Sequence, residues 1–342
     1  MAAEADAGRE LMAEETKARL KAAERIHLET VALTTEGTTD ASGIAAVATS
    51  RLTAAGYTVV SDHAQPHDIT VKVKCEEKKV WEGTSRSGGD ADLQGSAARL
   101  WRGPACQITY RMDGLRSDWR HEVRGVAGTT PASSAHASMP GDSKALALLA
   151  DRLAADPFPL LLAGAWGQPA RLLHALDDPA TTQAQKLVVI DLLGDMSAVE
   201  AIPALSRRLK DPDPALALHA ATALGAIGHQ DCIPFLMELL AHQAPELRLA
   251  AVKGLGRLAP LHPNSDIVPA LLGRLLLEPI PFQTEIVRAL GRTPDRRMLK
   301  PLRALNRDVQ DRARSDSSPE LKELKRAIGQ ALDPYSGTHT DE

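Results

Sequence analysis

Aromatic side chains are scarce in this chain, whose 342 residues include three phenylalanines, four tryptophans and three tyrosines. Aliphatic residues must therefore fill the core, and alanine and leucine supply 55 and 46 residues. A core of small and unbranched aliphatic residues is typical of closely packed helices, because both residue types are strong helix formers. The scarcity of aromatics also counts against binding single-stranded nucleic acid by stacking its bases.

Long apolar runs are also missing. No stretch approaches the roughly 20 apolar residues that a membrane-spanning helix needs, and residues 1–23 lack the apolar centre of a secretory signal. The 40 basic and 44 acidic residues give a net charge of −4, which favours neither nucleic acid nor an anionic membrane as a partner. We expect either a cytosolic protein or the mature form of an exported one.

Cysteine is rare: Cys75, Cys106 and Cys232 are the three in the chain, and no C-x-x-C pair is present for a structural zinc site. Cys75 and Cys106 occupy inward positions of two predicted strands, so neighbouring strands would allow a disulfide. It would close a loop of about 30 residues and contribute roughly 3–4 kcal/mol. The alternative is two buried thiols. A disulfide would imply an oxidising compartment, so an extracytoplasmic location (periplasmic or secreted) is preferred to the cytoplasm.

The two halves of the chain differ in composition. Residues 1–142 hold 8 leucines and residues 143–342 hold 38. Between them, residues 125–142 are rich in small residues, which is typical of a flexible linker. We therefore predict an α+β protein of two domains: a small sandwich-like α/β domain over residues 1–124, and an all-α solenoid over residues 143–342 with a disordered C-terminal tail.

Strand-like alternation of apolar and polar residues marks the first half. Residues 69–75 and 106–112 alternate strictly, as expected of strands with one buried face. Residues 44–55 have apolar side chains at helical spacing. We predict a small sheet with one face covered by one or two helices, and a long polar loop over residues 76–104.

The second half repeats with a measurable period. A Leu-Gly pair recurs at intervals of 31, 31 and 35 residues, and a leucine anchor follows each glycine by 11, 11, 15 and 11 residues. From each anchor to the next glycine the spacing is always 20, so the whole length variation lies in one turn near residues 260–265. A fixed period with one insertion confined to a turn indicates a repeat architecture. The anchors are Leu205, Leu236, Leu271 and Leu302.

Each unit of the repeat is predicted to be a pair of helices. Prolines open the first helices at Pro214 and Pro245 and the second helices at Pro203, Pro234 and Pro269, and in the last unit the proline is shifted by one position, to Pro301. We expect the Leu-Gly pair to let the two helices of a unit approach closely. Such a pair cannot bury its apolar face alone, so the units must stack into a solenoid. The motifs Asp211-Pro-Asp-Pro, Ala220-Ala-Thr-Ala-Leu-Gly and Ile233-Pro-Phe-Leu resemble HEAT repeats, in particular the short bacterial form first associated with phycobilin lyases. The resemblance covers roughly residues 157–332.

This resemblance implies a non-catalytic scaffold or adaptor whose second helices line a concave surface that binds another protein. It implies no cofactor. A bilin-lyase-like enzyme is the alternative that the same resemblance suggests. The polar positions that follow the anchors are the candidate partner contacts: Arg207, Arg208, Glu238, Arg274 and Arg303.

Residues 288–314 carry nine basic and three acidic residues, a local net charge of +6. They are predicted either to bind an acidic protein surface, a phosphate backbone or an anionic headgroup, or to form a solvated face whose arginine stems cover apolar surface. Nucleic acid is the less favoured partner because aromatics are scarce. Apart from Arg303, the candidate basic patch is Arg288, Arg292, Arg296, Arg297, Lys300 and Arg307.

Motifs for catalysis are missing: the sequence has no G-x-S-x-G, no G-x-x-x-x-G-K and no G-x-G-x-x-G. The densest group of metal-type ligands is Asp62, His63, His67 and Asp68. They lie in a proline-containing turn, where such polar residues are common. We therefore predict no metal site and no enzyme activity.

Overall fold

The computed structural model forms two compact units, Met1–Arg171 and Leu172–Glu342. The α+β layout predicted from the sequence is confirmed, with a sheet in the first unit and a run of helices in the second. Most of the predicted linker and the end of the predicted tail lie outside the described residues. The structure describes residues 14–83, 99–112, 119–125, 142–263, 265–314, 316 and 318–335.

The first unit contains a mixed sheet with the strand order β2-β1-β4-β5-β6, and β3 also pairs with β1. β1 runs parallel to β3 and β4, whereas the other pairs are antiparallel. The strands are β1 (Arg25–Thr34), β2 (Gly37–Thr39), β3 (Thr58–Val60), β4 (Ile69–Gly83), β5 (Arg99–Arg111) and β6 (Arg120–Arg124).

The long loop predicted over residues 76–104 is wrong at both ends, because β4 continues to Gly83 and β5 already begins at Arg99. The register shifts between Glu76 and Lys79, and the antiparallel ladder then continues. Such a bulge interrupts the alternation of apolar and polar residues without ending the backbone pairing. The sequence pattern therefore stops before the strands do.

Helices cover one face of this sheet. Val71 and Val73 of β4 are fully buried against apolar side chains such as Leu52, Leu149 and Phe158. Lys72 lies between these valines in the sequence and is exposed, because successive residues of a strand point to opposite faces. The helices of this unit are α1 (described over residues 14–21), α2 (Ser42–Ala54), α3 (Asp142–Ala155) and α4 (Phe158–Ala165).

The disulfide that the sequence allowed is present in the structure. Cys75 and Cys106 lie directly opposite each other on β4 and β5, and their sulfur atoms are bonded. Both residues are fully buried among the core side chains of the sheet. The bond therefore links two central strands within the core.

A buried polar network holds Gln168 and Arg171 against the end of α1 and the turn before β3. The Tyr57 hydroxyl donates to Oε1 of Gln168 at 2.7 Å, and Nε2 of Gln168 donates to the carbonyl oxygens of Leu20 (3.0 Å) and Ala23 (2.8 Å). The Arg171 guanidinium lies over the Tyr57 ring, 4.0 Å from its centroid. These contacts explain why the first compact unit continues as far as Arg171.

The second unit alternates first and second helices, as the repeat predicted. Within the described ranges, no helix has the length and apolar character to cross a membrane. After α5 (Pro169–Asp177), which spans the division between the units, the first helices are α6 (Gln183–Asp195), α8 (Pro214–Ile227), α10 (Pro245–Leu258), α12 (Ile280–Gly291) and α14 (Pro319–Leu332). The second helices are α7 (Ile202–Arg208), α9 (Ile233–Leu239), α11 (Ile267–Leu275) and α13 (Leu299–Arg312).

The recurring glycines lie between successive first helices. A Cβ atom on Gly225 of α8 would lie 2.6 Å from the Cα atom of Gly254 on α10, and one on Gly194 would lie 2.9 Å from the Cα atom of Ala223. Gly291 of α12 faces Ala331 of α14 in the same way. The expectation that this motif brings together the two helices of one unit is therefore corrected: it brings neighbouring units together.

Candidate partner-binding surface

Three of the five predicted partner contacts are exposed on the second helices. The side chains of Arg207 and Glu238 are 65% and 70% exposed, and Arg303 is exposed on α13. The ion pairs of the first two are long, at 3.7 Å from Arg207 to Asp177 and 4.0 Å from Glu238 to Lys210. Exposed pairs of this kind stabilise a fold by about 0–1 kcal/mol, so a partner can replace them at little cost.

The other two predicted contacts are engaged within the fold. Arg208 donates to Oδ1 of Asp177 at 2.9 Å and to the carbonyl oxygen of Leu176 at 3.0 Å. Arg274 forms an ion pair with the buried carboxylate of Glu278. Both arginines connect elements of the solenoid.

Glu278 is the centre of a charged cluster that the sequence did not reveal. Its side chain is 3% exposed, and Arg248 donates to it through Nε (2.9 Å to Oε1) and Nη2 (3.1 Å to Oε2). Burial alone would raise the pKa of Glu278, but hydrogen bonds from Arg248 and then Arg274 outweigh burial and hold the pKa below its ordinary value. The sequence held one signal for this residue, which is its position: Glu278 stands immediately before a proline, as Asp213 does at the start of α8.

Two adjacent leucines that follow α11 are exposed to solvent. Leu276 and Leu277 are 73% and 69% exposed, in the turn that leads from a second helix to the next first helix. Leu261 is 64% exposed in the turn from α10 to α11, at the other end of the same pair of helices. Single exposed apolar residues are common on a protein surface, whereas Leu276 and Leu277 are contiguous and form a small apolar patch.

The basic segment divides into paired and unpaired cations. Arg288 is paired with Glu285 and Glu323, and Arg297 with Asp295 at 2.6 Å. Arg312 and Arg314 each have an aspartate partner on or beside α13. For the remaining five, the described part of the chain contains no carboxylate within ion-pair distance: Arg292, Arg296, Lys300, Arg303 and Arg307.

The predicted ligand-type cluster has a structural role in its turn. Asp68 accepts two backbone N–H groups at the start of β1, and Asp62 accepts one within its own turn. The rings of His27, His63 and His67 pack together with centroids 5.1–5.2 Å apart. Among the residues that the structure describes, no group of three or more His, Cys, Asp or Glu side chains is arranged to hold a metal ion.

Cys232 has the environment of a core residue. It is fully buried in the short turn before α9. Burial raises the pKa of its thiol to about 11, so the thiolate that a nucleophile requires is scarce at neutral pH.

Stacked helix pairs with a regular period define the second unit as an α-solenoid. The family model for HEAT repeats matches residues 169–256 and 233–321. Residues 169–321 are therefore HEAT repeats, and the resemblance inferred from the sequence is confirmed over this range. The family match leaves the sheet uncovered, and no curated protein matches the chain.

Two crystal structures of engineered proteins are similar to part of the chain. The first is 18% identical with a TM-score of 0.35, and the match covers 52% of this chain and 85% of the engineered one. The second is 20% identical with a TM-score of 0.36, and the match covers 57% of this chain and 55% of the engineered one.

HEAT repeats commonly mediate protein binding, so the family match favours a non-enzymatic scaffold.

Proposed function

We propose that this protein is a non-catalytic adaptor that binds another protein through the face formed by its second helices. The observation that carries the proposal is the adjacent exposed pair Leu276 and Leu277 in the turn after one second helix. Other second helices carry the exposed charges of Arg207, Glu238 and Arg303. An apolar centre with polar surroundings is the usual composition of a protein interface.

The repeat register supports placing these residues on one face. Arg207 of α7 follows its anchor Leu205 by two residues, and Glu238 of α9 follows its anchor Leu236 by the same number. Equivalent positions of stacked units lie side by side along a solenoid. The exposed charges of Arg207 and Glu238 therefore belong to one row on the second helices, and the leucine pair lies in the turn that follows the second helix of the next unit.

Binding can be tested with the purified full-length chain carrying a photo-crosslinker at position 273, beside the leucine pair, incubated with an extract of its native cell. We expect wild type to crosslink to a defined partner and Leu276→Ser/Leu277→Ser to lose that product. Both side chains are mostly exposed, so melting temperature should stay within about 2 °C of wild type. The crosslinker stands at position 273 in every protein compared, because Gly273 has nothing within 4 Å of the place that a Cβ atom would take.

Leu261→Ser is the matched control, because Leu261 is similarly exposed in the turn on the opposite side of the helix pair. It should crosslink as wild type does. Charge reversal of Arg207 and Glu238 together should weaken the same product. An unchanged product with the double leucine variant and with the charge variant would reject this face as the binding surface.

The buried Cys75–Cys106 disulfide supports a place for this adaptor in an oxidising compartment, because cytosolic reductants keep most protein thiols reduced. We propose an extracytoplasmic location. Alkylation of free thiols before and after reduction, in protein isolated from its native cell, should label these two cysteines only after reduction. Labelling before reduction would contradict the proposal.

A further inference from the structure

Four of the unpaired cations lie along a single face of α13 and the turn before it. We call this set the cationic stripe: Arg296, Lys300, Arg303 and Arg307. Their spacings of 4, 3 and 4 residues return to the same side of a helix at each step. All four are exposed, and none has a carboxylate partner in the described part of the chain.

The opposite face of α13 anchors the stripe. Met298, Leu302, Leu305 and Val309 are buried in the solenoid core, and α13 packs against α14. The helix backbone is therefore held in place while its four cations face solvent. The 11 steps from Arg296 to Arg307 extend about 17 Å at the rise of an α-helix.

The unpaired state of these cations distinguishes them from their neighbours. Arg312 lies 2.9 Å from Asp308, and Arg297 lies 2.6 Å from Asp295. A partner that binds those two arginines must first displace an existing carboxylate. The displacement costs about 0–1 kcal/mol for each exposed pair, and the stripe offers its charge without it.

The borders of the stripe decide which anion fits. Asp295, Asp308 and Asp311 stand beside it on the same segment. A nucleic-acid duplex is wider than one helix and would extend from the four cations onto these aspartates, which arginines already neutralise, so its outer phosphates would gain no unpaired cation. A single acidic helix is narrow enough to contact the row of cations between them, and its carboxylates can recur at the same 4-3-4 spacing.

We propose that the cationic stripe docks an acidic helical segment of the partner protein, with carboxylates spaced to match Arg296, Lys300, Arg303 and Arg307. The inference rests on the proposed function in one respect, which is that the partner is a protein. It adds the chemistry of the partner: glutamate or aspartate on one face of a helix about three turns long.

The test measures binding of a fluorescent 16-residue peptide to the full-length protein by anisotropy. The probe peptide carries glutamate at positions 2, 6, 9 and 13 of an alanine and glutamine helix. The comparison peptide has the same composition, with its glutamates at intervals of five residues, which spreads them around the helix. We expect the probe to bind about tenfold more tightly than the comparison peptide, because only the probe can pair with all four cations at once.

Arg303→Glu/Arg307→Glu should weaken binding of the probe about thirtyfold, since it replaces two attractions by repulsions. Arg312→Glu/Arg326→Glu changes the net charge equally, but these arginines are paired with Asp308 and Glu323 in the wild type. This control should change the affinity by less than about threefold. Far-ultraviolet circular dichroism of both variants should match wild type.

Equal binding of the two peptides, equal effects of the two variants, or no binding at all would each overturn the proposal. A 16-base-pair DNA duplex that binds more tightly than the probe, and that the stripe variant releases, would assign the stripe to nucleic acid instead. The crosslinking result with Leu276→Ser/Leu277→Ser is a separate readout. The crosslink therefore tests the face formed by the second helices, and peptide binding tests the cationic stripe independently of it.

Discussion

Glu278 is an acidic residue with almost no contact with solvent, held between Arg248 and Arg274. Each guanidinium comes from a different helix, so the cluster joins α10 to α11 and to the start of α12. Removal of one member leaves buried charge without its partner, which costs far more than loss of an exposed ion pair.

We therefore expect Glu278→Ala to lower the free energy of unfolding by about 3 kcal/mol. Glu238→Ala is the control, because its carboxylate is 70% exposed, and it should cost less than about 0.5 kcal/mol. Urea denaturation followed by circular dichroism would measure both. A Glu278 variant as stable as the Glu238 variant would show that the cluster contributes nothing to stability.

The same carboxylate should make stability depend on pH. The pKa of Glu278 is lowered in the folded protein, so the stabilisation is complete above the pKa of the unfolded chain and disappears as the pH falls through the folded value. Below about pH 4, the melting temperature of wild type should therefore fall more steeply than that of Glu278→Gln. Parallel slopes for the two proteins between pH 5 and pH 3 would contradict this assignment.

Between helices, the contact of Gly225 with Gly254 sets the spacing of two successive units. The atom that a new Cβ on Gly225 would meet belongs to the backbone, so no side chain can rotate away. Gly273 of α11 has nothing within 4 Å of the same position. The two glycines thus stand in helices of one solenoid but in opposite packing environments.

Gly225→Ala should lower the free energy of unfolding by about 1–3 kcal/mol, since α8 and α10 must move apart. Gly273→Ala should raise it by about 0.5–1 kcal/mol, because alanine is the better helix former where space is free. Thermal denaturation of both variants gives the comparison. Stabilisation by both substitutions would mean that the close approach is not needed.

At the scale of the elements, prediction from sequence succeeded where the pattern is local, and it failed where the structure depends on pairing between distant residues. The period of 31 residues predicted the alternating helices, and strict alternation over residues 69–75 predicted the buried half of β4. The extension of β4 to Gly83 depends on pairing with β5 across the chain, and no local pattern records it. The buried role of Arg274 was missed for the same reason, because its partner is identified only by folding.

At the scale of the whole molecule, the end of the first unit is the feature that composition described least well. The leucine-rich composition begins at residue 143, yet Leu149 and Phe158 fill the core of the sheet domain. Gln168 then completes the hydrogen bonding of Leu20 and Ala23. A division at residues 125–142 stays a prediction, and these contacts favour a division after Arg171.

A fragment of residues 1–171 should therefore unfold cooperatively, whereas a fragment of residues 1–142 should not. The shorter fragment exposes the apolar face that α3 and α4 cover, and it leaves the Tyr57 hydroxyl without its acceptor. Circular dichroism melting and near-ultraviolet spectra of the two fragments would check this. Equal cooperativity would place the end of the domain before α3.

The sequence by itself determined the repeat period, the helix pairs, the HEAT resemblance and the inward positions of Cys75 and Cys106 on their own strands, because each follows from spacing along the chain. The pairing of β4 with β5 is what places the two cysteines opposite each other. Only the tertiary structure decided which cations are neutralised and which stay free. Arg288 is paired with Glu323, 35 residues away, while Arg303 on the intervening helix has no carboxylate partner among the described residues. The reason is physical: periodicity is set by the local backbone, whereas an ion pair forms only where folding brings distant side chains within about 4 Å.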